Sequence, residues 1–100
     1  MNKEELLKEL KGKIGITWED EDLENRLNSI IEGAKASLDF KLGANIDYSV
    51  PGMEHTLFLN YCMYDYNNCL YEFDKNYRSD IYQIRMKYEI KQMRALYAKK

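Results

Sequence analysis

Proline and glycine are scarce in this chain, with one Pro and five Gly in 100 residues. Tight turns are built from those residues, so a fold of many short strands is excluded and a few long elements are expected. No window holds the ~18 to 20 consecutive apolar residues of a membrane span, and no membrane partner is expected. The opening MNKEELLKELKGK is charged throughout and lacks the apolar centre of a secretory signal. A reducing cytoplasm is therefore the expected site of synthesis, with both cysteines as thiols. A glycine-rich phosphate loop, a G-x-S-x-G elbow and paired zinc-ligand spacings are also missing. The single histidine, His55, has no sequence partner that would make it a general base. The expectation is a protein that is not an enzyme and has no catalytic, cofactor or metal residues.

The two cysteines and the histidine look at first like a site. His55, Cys62 and Cys69 stand at seven-residue steps, which on one helix is a rise of ~10.5 Å per step. Zinc bonds measure ~2.0 to 2.3 Å, and disulfide Cα atoms lie within ~7 Å. Neither fits, and both thiols read as core residues. The acidic run at 19–22 resembles a calcium loop only superficially. Counted from Asp20, the positions that need Gly and a bidentate Glu hold Asn25 and Ile31. Negative charge at a helix N-terminus explains the run instead.

Apolar residues make up 45% and charged residues 32% of the chain, a soluble globular balance at single-domain length, 1–100. Asn2 and Glu5 form a capping-box pattern for a short helix with Leu6, Leu7 and Leu10 on one edge, ended by Gly12. Thr17 and Asp20 repeat the start signal. Leu23, Leu27, Ile30, Ile31, Ala34 and Leu38 then recur at helical steps up to Gly43. Residues 43–53 hold the Pro and two Gly and read as the longest loop. A third helix is expected from about Glu54 to about Asn76. Its core arc holds Phe58, Leu59, Cys62, Met63, Tyr66, Cys69, Leu70, Phe73 and Tyr77. A second stripe, Leu57, Tyr61, Tyr64, Asn68 and Tyr71, lies opposite. That stripe needs cover, from a neighbouring subunit or from another helix of the same chain. Its polar neighbours Asn60, Asp65, Asn67 and Glu72 repel phosphate, which argues against base stacking. Tyrosine suits protein contacts, and the five residues are the candidate subunit interface.

Residues 79 to 98 read as a helix capped by Ser79, because Gln, Lys, Arg, Met, Glu and Ala are good helix formers. Yet Ile84, Met86, Tyr88 and Ile90 alternate with charged residues, which is the strand period, so a partly extended tail is the alternative. The expected fold is an all-α bundle of about four helices: a short N-terminal one, two long ones, and a C-terminal helix or partly extended tail. Charge is uneven. Residues 1–74 carry 7 basic and 15 acidic side chains, and residues 75–100 carry 8 basic and 2 acidic. The basic segment 79–100 suits docking on something acidic, either nucleic acid or the body of a neighbouring subunit. The bland reading is a helix whose cations complement its C-terminal dipole.

The order of these motifs resembles the head–tail connector proteins of long-tailed bacteriophages, the adaptors that bind below the portal. An acidic helix start, WEDEDLENRLNSIIEGAKASLDFKLG, leads through a Pro-containing loop to LFLNYCMYDYNNCLYEFDKNY and then IYQIRMKYE. Leu23, Leu27, Ile30, Ile31, Ala34 and Lys35 match the first main helix of that family. Tyr64, Asp65, Asn67 and Asn68 approximate its aromatic Y-D element, and Ile84-Arg85 its later L-R pair. The resemblance spans about residues 14 to 91, and Asn67-Asn68 replaces an Arg usual in the second helix. It implies a virion protein assembled in the host cytoplasm, forming a homo-oligomeric ring, commonly dodecameric. Such a ring joins the portal protein to a downstream head-completion (stopper) or tail protein. Viral DNA passes through its channel without sequence-specific binding. The C-terminal segment would then dock on the portal, with Arg78, Arg85, Lys87, Tyr88, Lys91 and Arg94 as candidate contacts. The alternative function is a small nucleic-acid-binding or regulatory helical protein that uses the basic C-terminal segment.

Overall fold

The computed structural model describes residues 3–98. The helices are α1 (Lys3–Ile14), α2 (Glu21–Leu42), α3 (Met53–Tyr66), α4 (Phe73–Asn76) and α5 (Arg78–Ala98), with a 3₁₀ turn at Leu70–Glu72. There is no strand among the described residues. The small all-α bundle is therefore the observed class, with five helices where about four are expected. The expected Asn2 cap lies outside the described residues.

Three helix ends share one device. Gly15, Gly43 and Asn68 adopt left-handed backbone with φ of 93°, 72° and 59°. In each case the next residue's N–H reaches the carbonyl five positions back: Ile16 to Lys11, Ala44 to Asp39, Cys69 to Tyr64. This geometry satisfies carbonyls that a helix end leaves without partners. Gly43 ends α2 as its sequence indicates. Gly12 does not end α1. The helix continues through it to Ile14, one four-residue step beyond Leu10, so that Ile14 packs against the core. Nor does Thr17 cap α2. Asp20 does, accepting the Leu23 N–H at 3.2 Å. The carboxylate brings negative charge to the helix start as well as an acceptor, with Glu21, Asp22 and Glu24 behind it.

The expected single helix over 54–76 is broken at Asn67-Asn68. Asparagine is second only to glycine in tolerating left-handed backbone, and two in a row provide a stop that apolar periodicity alone does not reveal. Helix α3 lies at the centre of the bundle, packed against α1, α2 and α5. Leu57, Phe58, Leu59, Tyr61 and Cys62 are all buried on it, an apolar arc wider than a surface helix needs. One core draws on every helix, from Leu10 through Leu27, Leu38, Phe58 and Phe73 to Ile84.

The long loop is pinned. The Asp39 carboxylate accepts the Ile46 N–H at 3.2 Å and the Tyr48 hydroxyl at 2.8 Å, and pairs with Lys35. The Tyr48 ring stacks on Phe58 at 4.8 Å. His55 then joins loop to helix: one ring nitrogen lies 2.7 Å from the Tyr48 carbonyl, the other 2.6 Å from Glu9 on α1.

Candidate functional site

Helix α5 is where the molecule offers a surface its own fold does not use. Successive residues on a helix turn by ~100°, so residues two apart face nearly opposite ways. Ile84 is buried and Ile81 and Tyr88 are half-buried, all facing the body. Tyr82, Met86, Ile90 and Met93 recur at steps of four, four and three on the other side and are exposed. The strand-like alternation of Ile84, Met86, Tyr88 and Ile90 is thus two interleaved helical stripes. The extended-tail alternative for residues 84–91 is corrected on this ground, and the helix begins at Arg78, one residue before the expected cap Ser79.

Polar contacts fix the inner face. Glu54 on α3 accepts from Lys87 Nζ at 2.7 Å and from the Tyr88 hydroxyl at 2.8 Å. Burial pushes the Glu54 carboxyl up, but those two donors, a backbone N–H and the Lys87 charge together hold the group below the usual glutamate range. Burial, then the Glu54 hydrogen bond and charge, push the Tyr88 phenol up to about 12. Further along, Gln92 donates to the Gly43 carbonyl at 3.1 Å. From Glu89 to Ala98 every residue is exposed. Those last turns carry Ile90, Met93, Leu96 and Tyr97 with Lys91 and Arg94, an apolar and basic mixture.

The residues singled out from the sequence separate in the fold. Leu57 and Tyr61 are buried by their own chain, so the same-chain alternative holds for these two. Tyr61 meets the edge of Phe73 at 4.9 Å. Tyr64 is half-buried against Phe73 and Tyr77 and accepts from Asn76 at 3.0 Å. Asn68 and Tyr71 are exposed beyond the break. The five do not form one face, because the helix meant to align them ends at Tyr66. Of the basic set, Lys87 and Tyr88 are tied to Glu54, and Arg85 pairs with Glu89 at 3.3 Å. Arg78, Lys91 and Arg94 have no ion-pair partner among the described residues. The sequence signal of the outward stripe is the alternation itself.

Cys62 is buried, and burial followed by the Asp65 charge pushes its thiol up to about 12, so it is a core residue and a poor nucleophile. Cys69 is half-buried on the turn after α3. Among the described residues no three His, Cys, Asp or Glu side chains are grouped to hold a metal ion. No described helix is long and apolar enough to cross a membrane. No family model matches the chain, and no curated protein or solved structure matches it.

Proposed function

We propose that this protein is a structural assembly subunit of a virus particle, a connector that forms a ring on the portal and continues the DNA channel. The observation that supports it best is the outer face of α5. Short helices are marginal unless they pack, and the last turns of α5 leave Ile90, Met93 and Leu96 exposed among the described residues. An apolar stripe flanked by Lys91 and Arg94 suits a groove on another protein with acidic rims. The portal is the partner implied by the resemblance. The acidic body, residues 1–74, would line a channel that lets DNA slide, since like charges do not grip phosphate.

Co-sedimentation with the portal ring of the same virus tests this. The wild-type chain should travel with the ring. Met86→Ser, Ile90→Ser and Met93→Ser combined should stay behind while keeping full helicity. A wild-type chain that does not bind the ring contradicts the proposal.

A further inference from the structure

A second unclaimed surface lies at the other end of α5. Phe40, near the end of α2, and Tyr82, near the start of α5, are 88% and 64% exposed. They flank a groove of about 620 Å³ whose walls include Lys41, Arg78 and Arg85 against the single carboxylate of Asp74. Asp74 pairs with Lys41 at 2.9 Å and Arg85 with Glu89 at 3.3 Å, which leaves Arg78 as the groove's surplus positive charge. The volume is that of a site for one large side chain and its neighbours.

The chain itself carries a group of matching size and opposite charge. Trp18, the only tryptophan, is 57% exposed in the turn before α2. Glu19, Asp20, Glu21 and Asp22 follow it directly, and all four are exposed. An exposed Trp is the residue type that most often anchors protein contacts. An indole under an arginine gains cation–π attraction. The acidic run set against Arg78 adds charge complementarity, which sets orientation and speeds encounter.

The anchor cannot enter the groove of its own chain. Trp18 precedes α2 (Glu21–Leu42) and Phe40 sits near its far end, so the helix from Glu21 to Phe40 separates them by roughly 28 Å. We infer that the Trp18 corner of one copy docks in the Phe40–Tyr82 groove of the next copy. The contact joins two different patches, so each copy offers one anchor and one groove, and repetition closes a ring or grows a filament. The inference rests on the ring-subunit reading above and supplies the contact between its subunits.

The experiment is a complementation of two variants, each expected to keep its fold because the altered residues are exposed. Trp18→Ala keeps the groove and loses the anchor. Phe40→Ser with Tyr82→Ser keeps the anchor and loses the groove. Sedimentation velocity is run on each chain free and on the portal ring, with circular dichroism to verify helicity. Each variant alone should lose self-association about 30-fold or more. A one-to-one mixture should form a dimer and stop there, with a blue shift of the Trp18 emission supplied by the groove-less chain alone. If Trp18→Ala assembles as well as wild type, the contact is overturned and the ring reading stands. A wild-type chain that forms no assembly, free or on the portal, overturns both.

Discussion

Ile84 and Met86 stand two residues apart on α5 and face opposite sides, the first 1% exposed and the second 36%. The inner residue closes the core, and the outer one begins a stripe that is exposed among the described residues. This division of labour has a direct consequence for mutation. Ile84→Ala should cost ~2 to 5 kcal/mol, the range for emptying a packed aliphatic site. Met86→Ser should leave stability within ~0.5 kcal/mol yet weaken portal binding. Urea unfolding of the two variants, paired with the binding assay, separates the roles.

Glu54 joins α5 to α3, and its stabilising effect depends on its charge. Its folded carboxyl lies below the usual range because Lys87 and Tyr88 donate to it. That stability is fully present above the unfolded value of about 4.3 and is lost as pH falls through the lower folded value. Glu54→Gln should cost about 1 to 2 kcal/mol at pH 7. Its urea midpoint should also fall less steeply below pH 5 than that of the wild type.

At the alkaline end the phenols act with the opposite sign. Burial first, and then the hydrogen bond to Asp39, push the Tyr48 phenol far up, and Tyr88 is pushed up to about 12. Unfolded tyrosines ionise near ~10, so stability present below that pH is lost progressively above it. Tyr48→Phe should flatten this decline, read as urea midpoints between about pH 8 and 11.

The break after α3 depends on the backbone of Asn68. Asn68→Gly should keep stability or raise it by a few tenths of a kcal/mol, since glycine adopts the left-handed turn freely. Asn68→Ala should cost ~1 kcal/mol. Thermal unfolding of both reads the difference.

How much of this was legible in the sequence depended on where one period ruled. Leu27, Ile30, Ile31, Ala34 and Leu38 face one way only, and that single period carries α2 through to Gly43. The buried arc of α3 is wide, so Leu57 and Tyr61 join the core while Asn68 and Tyr71, beyond the break, stay exposed. On α5 the true opposed stripes were present, but interleaved they imitate a strand. Asn67-Asn68 carried a stop signal weaker than that of glycine, and the expected interface dissolved with the helix that was to align it. Trp18 stands beside an acidic helix start, and its exposure is not written in the sequence. Its relation to the Phe40–Tyr82 groove needs the length of α2 and both ends of the fold.

Native mass spectrometry of the chain mixed with its portal ring counts the copies that bind. A single complex with one closed ring of the chain, twelve copies on a twelve-fold portal, is the result expected of a connector subunit. A portal ring that remains bare beside monomeric chain at every mixing ratio would contradict it.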